Sequence, residues 1–431
     1  MIHFNTISDT KDSGLYTISN IEELRSEYLK KNIIVSFSTK MIGTTITDQP
    51  CVTFQVKEKL PIDQVSEEDM IPASIVIDGK EYLTDVVSVV STKLLSCFNN
   101  CDSFLTTPPG NRNKVRPLKG GVSISSKSSI SGSNCTKGTL GFIAVDSATQ
   151  SLVGVTAAHI VCNNFFYTAS QDLNGIIENQ IGNDVYQDGE TCIADPTLKI
   201  GQVIRYAPMY KYFDSPSQSS TYFNNSPTNV VDAALISLSA VDVSNTESWK
   251  QYGVNYTTPL PFASQDEIFS LSVGISNNKF SYSGRTAGVQ GGTVCPLSNY
   301  SALLNIYIDY PCQGGNVTTL FPQTIKFFSY CYDIIPGEGD SGAALVANFN
   351  GVDKIVGIIF ATATMSNGLI LGIACPISYV AAQLGIEAWD GTPKNFIDPS
   401  SIAYTTVPGK SARQSIKKDG KIYWQVGLTN N

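Results

Sequence analysis

The sequence is poor in charged residues and has almost no histidine. Asp, Glu, Lys and Arg make up 15% of its 431 residues, and the two histidines are His3 and His159. The net charge of -8 would repel a phosphate backbone, and no Lys/Arg cluster opposes it, so we expect no nucleic-acid partner. The cysteines lack the paired spacing of a zinc site, and two histidines add little to a ligand set. We therefore expect neither a structural metal nor a cofactor.

The sequence also lacks an unbroken apolar run, and we expect no signal peptide. Its first residues contain no basic segment followed by an apolar one. The most apolar stretch, Val356 to Ile377, is interrupted by Thr, Ser, Asn and Gly, so two buried strands fit it better than a membrane span. These absences predict a cytoplasmic protein, in which the ten cysteines are reduced thiols rather than disulfides.

Short apolar runs rich in β-branched residues predict a mainly β protein. From Gly138 onward they recur every ten to fifteen residues with Gly, Asn or Pro between them, which is typical of a sandwich or barrel. Residues 1–115 mix helical and strand patterns and predict a small α+β accessory domain that ends in an exposed connection. Ile377–Leu384 predicts a helix capped by Gly385, and Asp419-Gly420 predicts a β-hairpin within a tail at 391–431.

Two short motifs carry the candidate chemistry. Gly339-Asp340-Ser341-Gly342 places a serine in a turn where small residues let backbone amides converge beside the hydroxyl. Alone, this composition is that of an ordinary turn. Thr156-Ala157-Ala158-His159 places a scarce histidine after an apolar run, although a lone histidine there is more often a core or surface residue. A hydroxyl nucleophile needs a nearby base, and the two motifs together supply both.

Together these motifs resemble the signatures of the chymotrypsin-like serine proteases, with His159 as general base and Ser341 as nucleophile. The resemblance implies two antiparallel six-stranded β-barrels followed by a C-terminal helix, at 116–245 and 246–390. It also implies the backbone N–H groups of Gly339 and Ser341 as the oxyanion hole.

The same family order requires an aspartate between the histidine and the serine. Asp232 fits best, because it precedes the apolar run Ala233-Ala234-Leu235-Ile236 at the start of a predicted strand. The rival aspartates lie in polar, turn-like stretches or lack this pattern: Asp172, Asp184, Asp188, Asp195, Asp214, Asp266 and Asp309.

The sequence departs from the trypsin-type pattern at the specificity pocket and at the activation site. Ile335 stands six residues before the nucleophile, where trypsin-type members have an aspartate. A Lys or Arg side chain would find no partner there, so we expect an apolar or small residue before the cleaved bond. Phe360, Ala361 and Thr362 are expected to form the pocket wall, unless they are plain core. Without an evident activation junction, Asp340 needs an internal partner, or activation needs another protein or a cleavage.

A second resemblance is to intracellular trypsin-like proteins of bacteria and plants, the narrow-leaf type. It rests on Gly284-Arg285-Thr286-Ala287-Gly288 and, upstream, on Ile71-Pro72, Gly79 and Thr84-Asp85-Val86. This branch resemblance agrees with the expected cytoplasmic location.

The sequence therefore predicts a serine endopeptidase that acts on a protein substrate through an acyl-enzyme. Two alternatives stay open at this point. One is a binding or regulatory protein on a protease scaffold whose site is shut, and the other is an esterase with the same nucleophile. The sequence carries no indication of the oligomeric state.

Overall fold

The computed structural model describes the chain in separate stretches. They are residues 17–18, 23–24, 27–28, 31, 33–42, 45–56, 58–95, 97–98, 110–127, 135–162, 166–167, 182–187, 195–207, 209–210, 231–273, 280–291, 297–312, 315–329, 336–366, 368–397, 414–418 and 421–425.

Strands dominate these stretches, and helices are few and short. The helices are α1 (Ala158–Val161), α2 (Gln265–Val273) and α3 (Ile377–Leu384). The strands are β1 (Thr17–Ile18), β2 (Ile34–Ile42), β3 (Thr45–Val56), β4 (Ser74–Ile77), β5 (Lys80–Leu94), β6 (Cys97–Phe98), β7 (Val122–Lys127), β8 (Cys135–Leu140), β9 (Phe142–Asp146), β10 (Ser151–Thr156), β11 (Phe166–Tyr167), β12 (Asp184–Tyr186), β13 (Lys199–Tyr206), β14 (Met209–Tyr210), β15 (Ala234–Ser237), β16 (Phe280–Gly284), β17 (Gly288–Gly291), β18 (Leu297–Cys312), β19 (Gly315–Ser329), β20 (Ala344–Phe349), β21 (Val352–Met365), β22 (Ile370–Pro376), β23 (Ile386–Ala388), β24 (Asn395–Phe396), β25 (Gln414–Lys418) and β26 (Lys421–Gln425).

Most strands belong to two sheets, so the predicted mainly β class is confirmed. One sheet of the described residues runs in the order β23-β9-β10-β15-β13-β12-β7-β8-β6, with β24 beside β10. The other runs β1-β4-β5-β21-β20-β16-β18-β19-β22, with β2, β3 and β17 attached to this path. We call them the first sheet and the second sheet. The first contributes the segments around His159 and Asp232, and the second leads into and out of the turn that contains Ser341.

The N-terminal strands are continuous with the second sheet. Strand β5 pairs with β3 and β4 near its beginning and with β21 at its end, where Leu94 lies opposite Ala361. The N-terminal strands nevertheless enclose a hydrophobic cluster of their own, which includes Val52, Phe54 and Ile75. Strand β5 thus reaches from that cluster into the main body of the molecule.

The main hydrophobic core is one cluster that spans the two sheets. Its buried members come from both sheets and from α3, because the strands contribute apolar side chains to the enclosed faces. Leu152, Leu235, Ile358 and Phe360 are all fully buried there. Burial on this scale fixes the strand ends, and the candidate site is built on those ends.

Helix α3 is confirmed at the predicted residues. Ile377, Val380 and Leu384 are its buried residues, and Gly385 follows with a left-handed φ of 63°. A left-handed residue ends a helix by satisfying its last carbonyls, and glycine adopts this conformation without steric cost. Near the C-terminus, β25 and β26 pair antiparallel, while Asp419-Gly420 lies outside the described residues.

Three cysteines, Cys51, Cys162 and Cys375, are buried thiols, and the other cysteine side chains lie outside the described residues. No helix within the described stretches is long and apolar enough to cross a membrane. The same stretches contain no cluster of His, Cys, Asp and Glu that could hold a metal ion.

Candidate active site

His159 and Asp232 are brought together by two neighbouring antiparallel strands. Strand β10 ends at Thr156, directly before the short helix that carries His159, and Thr156 lies opposite Ala234 at the start of β15. In an antiparallel pair the end of one strand lies beside the beginning of the next. Residues just after β10 and just before β15 therefore meet at one edge of the first sheet, which is where His159 and Asp232 lie.

The three predicted side chains form a continuous hydrogen-bonded row. His159 Nδ1 lies 2.5 Å from Asp232 Oδ2, and Ser341 Oγ lies 2.9 Å from His159 Nε2. The backbone N–H of His159 also donates to Asp232 Oδ1, at 3.1 Å. A carboxylate on Nδ1 favours the tautomer with its proton there, which leaves Nε2 able to accept the serine proton.

The row is buried. His159 is 7% exposed, and Asp232 and Ser341 are fully buried. Two further groups beside Asp232 are thiols: its backbone N–H donates to Cys375 Sγ at 3.2 Å. Burial and the negative charge of Asp232 raise the pKa of both Cys162 and Cys375 well above the ordinary value. These thiols therefore stay protonated at neutral pH and do not compete with Ser341 as nucleophiles.

The turn that carries Ser341 is tied to the first sheet through Thr139. Thr139 donates its hydroxyl to the carbonyl of Gly339 at 2.8 Å and its backbone N–H to the carbonyl of Ser341 at 2.8 Å. A Cβ at Gly342, where φ is +95°, would lie 2.1 Å from the Thr139 carbonyl oxygen. Glycine is thus needed for the close approach of the two sheets at the nucleophile.

Asp340 has internal partners in this structure. Its carboxyl group accepts backbone N–H bonds from Thr286 at 2.6 Å, Gly337 at 2.8 Å and Ala287 at 3.0 Å. Burial raises the pKa of Asp340 to about 6, against the opposing effect of these N–H groups and of Arg285. Of the two possibilities raised by the sequence, an internal partner is the one observed, and two of the donors lie in the Gly284–Gly288 segment.

The backbone N–H of Gly339 already has an acceptor, the carbonyl oxygen of Leu95. The N–H of Leu95 in turn donates to the carbonyl of Phe360 at 3.2 Å, and Ser341 Oγ lies 3.3 Å from that same carbonyl oxygen. The predicted oxyanion donor at Gly339 is therefore already hydrogen-bonded to a backbone carbonyl of the same chain. The amide of Ser341, the second predicted donor, lies two residues further along the same turn.

The predicted pocket-wall residues lie on β21, beside the end of β5. Ala361 and Thr362 pair with Leu94 and Lys93, so backbone from elsewhere in the chain covers this edge. Phe360 is fully buried, and its ring packs on Phe321 with centroids 4.8 Å apart. Ile335 lies outside the described residues, so the base of the pocket stays a prediction.

Sequence reasoning missed Leu95 and Thr139. Thr139 lies within a strand and carries no motif, and its contacts to Gly339 and Ser341 exist only once the sheets have packed. Leu95 directly follows Leu94, the last residue of β5, and lies at the junction between β5 and β6. A leucine at that junction was a visible apolar candidate for the pocket, although no local pattern placed it beside Ser341.

Neither a protein-family model nor a curated protein sequence matches the chain. Solved structures that resemble it include Thermobifida fusca protease A, with 14% sequence identity and a TM-score of 0.33, over 63% of this chain and 98% of that one. A glutamic-acid-specific serine protease has the same identity and TM-score, over 63% of this chain and 100% of its own. Cellulomonas bogoriensis chymotrypsin has 15% identity and a TM-score of 0.34, over 63% and 98%. Similarity at this level assigns neither a family nor a function.

Proposed function

We propose that this protein is a serine endopeptidase of the chymotrypsin type that uses Ser341, His159 and Asp232. One observation carries the proposal: the buried row from Asp232 Oδ2 through the His159 ring to Ser341 Oγ, with steps of 2.5 Å and 2.9 Å. Both distances are within hydrogen-bond reach, which is what proton transfer from the hydroxyl to the ring requires.

In the proposed reaction, Ser341 Oγ attacks a peptide carbonyl carbon while its proton moves to His159 Nε2. Asp232 accepts the Nδ1–H and stabilises the imidazolium that forms. The proton then passes from Nε2 to the leaving amine as the C–N bond breaks. A water molecule, with His159 again as base, hydrolyses the acyl-enzyme and restores the Ser341 hydroxyl.

The negative charge that develops on the substrate oxygen needs a fixed donor. The Gly339 N–H is directed at a carbonyl oxygen, that of Leu95, which supports its role in the oxyanion hole together with the Ser341 N–H. Asp340, the next residue, accepts three backbone N–H bonds and so anchors the turn that contains Gly339. This arrangement favours a formed site over the shut scaffold.

Substrate specificity follows from the pocket residues of the proposal. Ile335 at the base and Phe360, Ala361 and Thr362 at the wall offer no charge to a basic side chain, so we propose an apolar or small residue before the cleaved bond. The resemblance of Gly284–Gly288 to the narrow-leaf branch supports an intracellular enzyme with two β-barrels in its protease region. The N-terminal accessory domain at 1–115 and the tail at 391–431 are part of the same proposal.

Internally quenched peptides that differ in one residue test the proposed function. The protein should cut a peptide with Leu before the cleaved bond faster than its Lys counterpart by at least about tenfold, because the cation would lack a partner. Ser341→Ala should lower turnover by about 10⁶, and Asp232→Asn by about 10⁴ through loss of the correct imidazole tautomer. Hydrolysis of a p-nitrophenyl ester without hydrolysis of any peptide would favour the esterase instead.

A further inference from the structure

One segment of the chain contacts the turn that contains Ser341. We call residues 91–98 the cleft segment; all of them except Ser96 are among the described residues. Before Leu95, the segment is the end of β5 and pairs antiparallel with β21, where Lys93 lies opposite Thr362. After it, β6 pairs antiparallel with β8, where Cys97 lies opposite Lys137. The segment is therefore held by the second sheet on one side of Leu95 and by the first sheet on the other.

Leu95 is the residue of the cleft segment that lies at the nucleophile. Its carbonyl oxygen accepts the Gly339 N–H, and its own N–H donates to the Phe360 carbonyl. Ser341 Oγ lies 3.3 Å from this same Phe360 oxygen, so the Leu95 backbone and the serine hydroxyl share one acceptor. The Leu95 side chain is 2% exposed and belongs to the main hydrophobic cluster, together with Phe360.

These contacts match those that an extended substrate would make. An extended peptide that adds to a sheet edge uses backbone bonds for affinity and buries alternate side chains for specificity. A slip of one residue would turn the buried side chain to the other face, so the ladders on both sides of Leu95 fix which carbonyl reaches Gly339. The apolar residue expected before the cleaved bond is supplied by leucine.

We propose that the peptide bond between Leu95 and Ser96 is a substrate of the Ser341 site, cleaved within the same chain. The proposal rests on the proposed endopeptidase function. Ser341 Oγ adds to the Leu95 carbonyl carbon, and its proton goes to His159 Nε2. The C–N bond to Ser96 breaks, and that proton moves to the Ser96 nitrogen, which leaves a Leu95 ester on Ser341. Water hydrolyses the ester to a Leu95 carboxylate and the free hydroxyl of Ser341.

Cleavage within the chain has two consequences. The reaction is unimolecular, because the sheet pairing holds Leu95 near the nucleophile and replaces a bimolecular encounter. Until the bond is cut and the new end at Leu95 leaves Gly339, the cleft segment also excludes other substrates from the site. The protein's own segment is thus both its first substrate and a competitor of all later ones.

The test follows the purified full chain over time by intact mass and by identification of new N-termini. Wild type should yield one fragment that ends at Leu95 and one that begins at Ser96, while Ser341→Ala stays intact. The rate constant should be unchanged when the protein is diluted about tenfold, as expected for a reaction within one chain. Wild type that stays intact at this bond, or equal cleavage in Ser341→Ala, would overturn the proposal.

Two leucines of the same hydrophobic cluster provide a matched pair. Leu95 and Leu118 are 2% and 0% exposed, so replacing either by alanine removes the same buried groups. Leu95→Ala should slow self-cleavage by at least about tenfold, because a pocket filled by leucine loses most of its contacts with the smaller alanine, whereas Leu118→Ala should not. Leu95→Met nearly conserves the volume and should retain cleavage. Equal slowing in both alanine variants would mean that stability, and not recognition of Leu95, controls the rate.

A charged variant separates failure of this proposal from failure of the proposed function. Leu95→Lys would bury an ammonium group without a partner, so the cleft segment should leave the site. If Leu95→Lys reacts with fluorophosphonate at Ser341 and cuts the leucine peptide while the wild-type chain stays intact, self-cleavage is wrong and the endopeptidase stands. If neither protein reacts with the probe and neither is cut, both proposals are wrong.

Discussion

At the scale of single residues, Gly339 combines an unusual backbone conformation with a crowded position. Its φ is +104°, which residues with a Cβ rarely adopt, and a Cβ there would lie 2.7 Å from Thr286 Oγ1. Gly351 has a similar φ of +88° but has nothing within 4 Å of the same added atom. Replacing either glycine would therefore strain the backbone, but only at Gly339 would the new Cβ also clash with a neighbouring side chain.

This difference makes a prediction about the oxyanion hole. Gly339→Ala must displace the N–H that faces the Leu95 carbonyl, so kcat/KM on a leucine peptide should fall by about 10² or more. Gly351→Ala should lose about 1 kcal/mol of stability and keep its activity. Steady-state kinetics and urea unfolding of both variants check this, and equal activity losses would show that the position of Gly339 has no special role.

Asp340 predicts how stability depends on pH. Its pKa is raised to about 6 in the folded protein, above its unfolded value, because the carboxyl group is buried. The folded state therefore holds this proton more tightly, and the contribution of the group is complete below pH ~4 and lost as pH rises through ~6. Between pH 7 and pH 4, wild type should gain about 2 kcal/mol relative to Asp340→Asn.

Urea unfolding of wild type and Asp340→Asn at both pH values measures this difference. If wild type instead lost stability relative to the variant on acidification, the pKa of Asp340 would be lowered in the folded protein. The bonds from Thr286, Ala287 and Gly337 would then outweigh the cost of burying the charge.

At the scale of elements, the features that the sequence predicted are those encoded within a few consecutive residues. Helix α3 begins and ends as predicted, because its apolar spacing and Gly385 are local signals. His159 and Ser341 lie in short motifs, and Asp232 is identified by the apolar run that follows it. The structure brings these three side chains together by joining strand ends.

The features that could not be predicted depend on pairing between distant segments. Nothing near Leu94 specifies that it lies opposite Ala361, because register between strands far apart in sequence is set by the packed fold. The contacts of Leu95 with Gly339 and Phe360 follow from that register. The donors to Asp340 were likewise hidden, since Thr286 and Ala287 use backbone groups that any residue except proline would offer.

The pairing of β5 with β21 predicts how proline substitutions in β5 affect self-cleavage. In a regular strand, alternate N–H groups face the same neighbouring strand. The N–H groups of Lys93 and Leu95 therefore both face β21, and the N–H of Thr92 faces away from it. Lys93→Pro should remove a bond of the ladder and slow self-cleavage at Leu95, whereas Thr92→Pro keeps that bond. Intact mass against time compares the two, and equal rates would show that this ladder does not position Leu95.

At the scale of the whole molecule, the N-terminal strands and the Ser341 region share one sheet. Besides the β5–β21 ladder, the buried Lys326 of β19 donates to Gln55 of β3, at 2.8 Å. Burial lowers the pKa of Lys326 to about 7, so the amine is partly neutral at physiological pH and depends on this partner. Cleavage after Leu95 would break one covalent bond and leave these contacts in place.

The two products of self-cleavage should therefore remain associated. On gel filtration in native buffer, residues 1–95 and 96–431 are expected to elute together at the position of the uncut chain and to separate in denaturant. Elution of the fragments as two separate species in native buffer would show that the shared sheet does not hold them after the bond is cut.

The proposed activation of Ser341 by His159 can be measured by mapping the residue that a fluorophosphonate modifies. The probe should modify Ser341 in wild type, faster in Leu95→Lys, and the modification should disappear in His159→Ala. The proposal would be contradicted if the probe modified a different residue, if it labelled Ser341 equally fast in His159→Ala, or if it labelled neither wild type nor Leu95→Lys.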